Sequence, residues 1–84
     1  MNIEKELISL IKKFKARLSK DDYKNAIEFA EHREWGVSYE LLCEQLYEFE
    51  VDIEVDEYSE IKVLGKKMDI DEMYWNNLKQ LIKK

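Results

Sequence analysis

Between Glu34 and Glu60 the chain carries ten carboxylates, five aromatic rings and no lysine or arginine. A run this acidic stays open in water unless its apolar residues gather on faces separate from the charges. Two periodicities provide such faces. Trp35, Tyr39, Leu42, Leu46 and Phe49 recur at helical spacing, which predicts a helix from a turn at 33–36 to about Phe49 with these residues on the core side. Gly36 is expected to supply the freedom of that turn and Trp35 to anchor it. Glu40, Glu44, Tyr47 and Glu48 fall roughly opposite the core side, together with Val37 and Leu41, for which cover by a neighbouring helix is expected. Val51, Ile53 and Val55 then alternate with Asp52, Glu54 and Asp56, the period of an extended segment with one face down and one carboxylate face out. It is too short and solitary to imply a sheet.

The rest of the chain reads as helix. Ile3, Leu7, Leu10, Ile11, Phe14 and Leu18 predict an amphipathic helix over 2–18. Ser19 with Asp22 three residues on predicts the start of a second, which buries Tyr23, Ala26, Ile27 and Ala30 and runs to about His32. The two alanines suggest a close helix crossing. A fourth carries Tyr58, Ile61, Leu64, Gly65 and Met68. Asp71 caps a fifth, which buries Tyr74, Trp75, Leu78, Leu81 and Ile82 and ends in Lys79, Lys83 and Lys84. Proline is absent and only two of the 84 residues are glycine, which argues against loop-rich and all-β designs. The expectation is an all-α, compact single domain spanning 1–84, a bundle of four to five short helices.

Charge is unevenly distributed: residues 1–33 carry a net +2, residues 34–61 a net −10 and residues 62–84 a net +3. A field of that shape speeds encounter with basic proteins and repels nucleic acid from the acidic side. The only basic cluster, Lys12, Lys13, Lys15, Arg17 and Lys20, suits a solvated helix face in an acidic chain, so no direct nucleic-acid contact is expected. The single cysteine excludes an internal disulfide and fits a reducing compartment. MNIEKELISLIKKF is neither a signal peptide nor a spanning segment, so the chain is expected in the cytoplasm with no membrane partner.

Chemistry finds little support. His32 and Cys43 lie eleven residues apart with no third orienting group and no glycine-rich loop, so the chain is not expected to be an enzyme. Asp52, Glu54 and Asp56 match the first ligand positions of an EF-hand loop, but Glu57 stands where its glycine belongs and Val63 where its closing glutamate belongs. No metal and no cofactor is expected. What remains is a surface. Glu40, Glu44 and Glu48 repel one another at i,i+4 by roughly 0.2–0.5 kcal/mol a pair with no nearby lysine in the sequence, and Tyr47 shares their stripe. Such cost without local relief points to a face kept for a cationic partner.

The run from Ala26 to Ile53, with Glu31-His32, Glu34-Trp35-Gly36, Glu40, Leu42-Cys43 and Gln45-Leu46-Tyr47-Glu48, resembles the MafI-type immunity proteins of bacterial polymorphic toxin systems, which include contact-dependent growth inhibition. The tail, through Tyr58, Leu64-Gly65, Met68, Asp71, Trp75 and Leu78, fits as well. The resemblance implies a small cytoplasmic protein that binds the C-terminal domain of a cognate secreted toxin and blocks it. Toxins of these systems are often nucleases, whose active sites are electropositive to hold phosphate. Immunity surfaces vary within families, so contacts follow from the charge pattern alone: Glu40, Glu44, Glu48, Glu50, Asp52 and Glu54 as electrostatic contacts and Tyr47 as an anchor. The rival expectation is a helical adaptor or regulatory protein that docks a basic host protein. Either would act as a monomer or weak homo-oligomer.

Overall fold

Each helix start is marked by a polar side chain or a chain reversal. In a computed structural model, which describes residues 2–83, the first helix, α1, spans Ile3–Lys13, and Asn2 Oδ1 accepts the Lys5 N–H at 3.0 Å. Lys84 lies outside the described residues. The expected helix over 2–18 stops at Lys13. Arg17 Nη2 donates to the Lys13 carbonyl at 2.9 Å, and Phe14, fully buried, caps the end. Next comes α2, Lys20–Glu31, begun as expected by Ser19, whose Oγ accepts the Asp22 N–H at 3.1 Å. The Asp22 carboxylate does not return to the cap but accepts a hydrogen bond from Gln45 Nε2 at 2.8 Å. It ties α2 to α3, Trp35–Glu48. Helix α4 spans Val55–Lys67. The fifth element is one turn of α-helix, α5, Met73–Asn76, running into a 3-10 helix, Asn77–Leu81. Asp71 contributes as expected, its Oδ1 accepting the Met73 N–H at 3.0 Å.

The reversals are not made by glycine. Arg33, Glu50 and Asp69 take φ of 63°, 47° and 57° just past the ends of α2, α3 and α4. In each case the next N–H reaches back into the helix: Glu34 to the Phe29 carbonyl at 2.9 Å, Val51 to Leu46 at 3.0 Å, Ile70 to Gly65 at 2.9 Å. These are Schellman closures with a side-chain-bearing residue in the left-handed position, at a cost of roughly 1–2 kcal/mol each. Gly36, expected to make the 33–36 turn, sits inside α3 instead.

Packing follows from side-chain size. Ala26 and Ala30 let α3 approach α2 closely, as expected, and the buried Ser38 Oγ donates to the Ala26 carbonyl at 2.7 Å. Trp35 Nε1 donates to the Ala30 carbonyl at 3.1 Å, which anchors the α2–α3 turn. Helix α1 lies antiparallel to α4, with Lys13 paired to Glu60 and Glu6 to Lys67. The extended stretch is shorter than its alternation suggested, because α4 already begins at Val55. Ile53 is buried and forms a parallel bridge with Ile82; its N–H donates to the Leu81 carbonyl at 3.1 Å and its carbonyl accepts the Lys83 N–H at 2.8 Å. The alternation fails at Val55, which is 65% exposed.

A close contact between α3, α4 and α5 forms at Gly65. A Cβ on Gly65 would stand 2.5 Å from Trp75 ring carbons and from the Tyr39 hydroxyl. One on Gly36 meets nothing within 4 Å. Gly65→Ala is therefore expected to lose about 1–3 kcal/mol of stability in urea denaturation. Gly36→Ala is expected to be neutral or to gain up to about 1 kcal/mol, because a helical glycine is being replaced with no clash. Equal effects at the two glycines would contradict this packing.

Candidate functional site

Helix α3 is rolled so that its apolar side faces the core. Tyr39, Leu42, Cys43 and Leu46 are buried, and the Tyr39 hydroxyl donates to the Ile61 carbonyl at 2.7 Å. Burial pushes the Tyr39 phenol well above its ordinary value and the Cys43 thiol up to about 12, which leaves that thiol protonated at neutral pH. The residues about half a turn away are forced outward. Glu44 and Glu48 are exposed, Glu40 is half-buried, and Tyr47 is 46% exposed. Val37 is 47% exposed on the same side, so the expected cover is missing there, while Leu41 is half-buried. Phe49, expected on the core side, is 64% exposed, because the chain reverses at Glu50 and leaves α3 before the ring can reach the interior.

The acids of the 34–60 segment divide into two sets. Arg17 makes a two-pronged contact with Glu57, Nη1 donating to Oε1 at 2.9 Å and Nη2 to Oε2 at 2.6 Å. Arg17 also donates to the Asp52 carbonyl at 3.1 Å and lies over the Phe14 ring at 4.4 Å. Glu57 accepts the Glu54 N–H at 2.9 Å, which fixes the start of α4. Lys13 pairs with Glu60. Two members of the basic cluster are thereby consumed inside the molecule. Among the described residues, no lysine, arginine or histidine nitrogen lies within 4 Å of a carboxylate oxygen of Glu40, Glu44, Glu48, Glu50, Asp52 or Glu54.

These six carboxylates do not form one patch. Tyr47, Glu48 and Glu50 line a hollow closed by Gln80 and Leu81 of the 3-10 helix. Asp52 and Glu54 line another with Val51, where Arg17 and Lys83 are also present, so their field is partly offset. Asp56 is separate again: it lies in α4 and its Oδ1 accepts the Glu57 N–H at 3.1 Å. Tyr74, partly buried against the core as its spacing predicted, also lies within reach of the charges of Glu40 and Glu44. Its half-exposed phenol is raised above its ordinary value, chiefly by the charge of Glu40, with burial and Glu44 adding. Nothing in the spacing of the last helix distinguishes Tyr74 from its buried neighbour Trp75; only the docking of α5 against α3 does.

The most continuous negative surface is thus the outer face of α3 from Val37 to Glu48, with Tyr74 at its edge and the Glu50 hollow at its end. Among the described residues, no helix is long and apolar enough to cross a membrane. Comparison of the chain with protein-family models, with curated proteins and with solved structures finds no significant match.

Two titrations test this geometry. The Arg17 hydrogen bonds hold Glu57 below the ordinary carboxylate range against the opposing effect of burial. A carboxyl depressed in the folded state stabilises fully above its unfolded value, about 4.3, and loses that contribution as pH falls through the folded value. Glu57→Gln is expected to lose roughly 1.5–3 kcal/mol at neutral pH and to flatten the acid limb of a stability–pH curve. An unchanged acid limb would contradict the pairing. For Tyr74, phenol absorbance followed with pH should show a titration above the ordinary tyrosine value that moves down in the Glu40→Gln/Glu44→Gln variant. No movement would separate Tyr74 from the acidic face.

Proposed function

We propose that this chain is a cytoplasmic immunity protein that neutralises a cognate secreted toxin domain, of nuclease type, by stoichiometric binding through its acidic face. The observation that carries this reading is the selective pairing of the 34–60 acids: Glu57 and Glu60 are matched by Arg17 and Lys13, and Glu40, Glu44, Glu48 and Glu50 are left without an ion pair among the described residues. The resemblance of residues 26–53 to MafI-type immunity proteins supports a toxin domain as that partner.

The inhibition would be electrostatic and steric. A nuclease cleft holds cationic groups at phosphate spacing. The carboxylates of α3 stand on an ordered helix and would present negative charge to such a cleft at fixed backbone spacing. Tyr47, half exposed beside Glu48 and Glu50, is placed to act as an aromatic anchor within the charged rim. Asp52 and Glu54, sharing their hollow with Arg17 and Lys83, contribute less to the attraction.

The test is co-expression with the C-terminal fragment of the secreted protein encoded beside this gene, scored for growth and co-purification. The wild-type chain is expected to restore growth and co-purify with the fragment. Glu44→Lys/Glu48→Lys should slow association by about tenfold or more at low salt, with thermal stability intact because both side chains are exposed and repel in the native helix. Tyr47→Ala should weaken binding by about 2 kcal/mol. Unchanged affinity in the double reversal would remove this face from the mechanism.

A further inference from the structure

A second face of the molecule combines an apolar floor with a rim of mixed charge, in which lysines outnumber glutamates. On α2, away from the Ala26–Ala30 stripe that packs on α3, Tyr23 and Ile27 are half-buried and line a shallow groove with Lys15, Lys20 and Lys24. The Lys15 Nζ lies over the Tyr23 ring at 5.7 Å. Lys15 and Lys20 have no carboxylate within 4 Å among the described residues. Lys24 reaches only Glu28, at 4.0 Å with both side chains more than half exposed, an attraction of negligible strength. Lys15 and Lys20 are members of the basic cluster that remain, with Lys12, after Lys13 and Arg17 have been consumed; Lys24 lies beyond that cluster on α2.

An occupant of this groove should bring carboxylates around an apolar or aromatic centre. Glu28 and Glu31 also line the groove and weaken its field for any anion, above all for the unbroken row of phosphates of a polynucleotide. The required chemistry is present on the chain itself: Glu40, Glu44 and Glu48 flank Val37 and Tyr47 on α3, with no ion pair of their own among the described residues. We propose that the Tyr23–Ile27 groove docks the acidic α3 face of a second copy of this chain. The contact joins two different faces, so it is heterologous and adds copies head to tail instead of closing a symmetric pair. Each copy carries a net −5, so the association is weak and depends on concentration and salt. It occupies the face assigned above to the cationic partner, and self-association would therefore hold the chain in a reserve that the partner displaces. The contact uses that face but requires only that its carboxylates are unpaired, not that a toxin binds them.

Sedimentation velocity of the whole chain tests this at about 20 mM and about 300 mM salt, on either side of a 10 Å screening length. At low salt the weight-average mass is expected to rise about twofold or more with concentration, and to return to that of one chain at high salt. Lys15→Gln/Lys20→Gln/Lys24→Gln removes the groove's charge, and Glu40→Gln/Glu44→Gln/Glu48→Gln removes that of the opposing face. Each variant alone should remain a monomer with unchanged circular dichroism, and a mixture should form a capped 1:1 pair, because each retains the face the other lacks. A wild-type chain that stays monomeric at low salt, or a mixture that forms no pair, overturns the proposal. So does an oligonucleotide that binds the wild type and is released by the lysine variant in the absence of self-association. Partner binding by the lysine variant is measured separately, and its persistence keeps failure of self-association distinct from failure of the proposed function.

Discussion

The Tyr39 hydroxyl, the bare α-carbon of Gly65 and the indole of Trp75 meet where α3, α4 and α5 converge, and this junction sets the roll of α3. A helix of 14 residues can rotate about its axis at little cost when only generic apolar side chains face the core. Here rotation would break the 2.7 Å hydrogen bond from Tyr39 to the Ile61 carbonyl in a dry site, where an unmade bond costs about 1–3 kcal/mol. It would also withdraw the Tyr39 hydroxyl from space that exists only because residue 65 has no side chain. With Tyr39, Leu42, Cys43 and Leu46 fixed inward, helical geometry leaves Glu44, Tyr47 and Glu48 no direction but outward.

The other end of the acidic segment is held differently. Arg17 gathers the Glu57 carboxylate and the Lys13 and Asp52 carbonyls around one planar cation. Those contacts terminate α1, position the 51–54 stretch and help start α4. A guanidinium suits this role because its fork matches a carboxylate and its flat face can lie on Phe14. The molecule thereby neutralises the two acids nearest the α1–α4 seam and leaves those of α3 untouched. Internal pairing and external charge are separated in space, which is why an overall charge of −5 understates the field at α3.

Much of this was legible in the residues. Helical spacing located all five helical regions, Ser19 marked the start of α2, and the paired alanines of α2 announced a close helix crossing, though not that α3 makes it. The failures share a cause: they depend on tertiary context that local pattern does not carry. Gly36 looked like the turn because glycine tolerates left-handed backbone, yet Arg33 takes that conformation and the glycine lies in a helix. The Val51–Asp56 alternation looked extended throughout, although Glu57, three residues after Glu54, carried the opposing signal of a helix start. Phe49 matched core spacing but sits beyond the last full turn of α3; Tyr74 packs against the core as its spacing predicted, and what spacing did not show is that it also feels the charge of Glu40. The acidic face was readable as a pattern. Its division into an α3 stripe, the Glu50 hollow and an offset Asp52–Glu54 edge was not, because Gln80, Leu81 and Lys83 reach it from the far end of the chain.

The proposed mechanism comes down to whether the outward side of α3 is where a cationic partner sits. Backbone amide chemical-shift mapping of the isotope-labelled chain, titrated with the C-terminal fragment of the protein encoded by the neighbouring gene, reads this directly. If the proposed partner binds there, the largest shifts run from Val37 to Glu50 and include Tyr74, with the α1–α4 side unmoved. Shifts confined to the α1–α4 seam, with α3 silent, would contradict it.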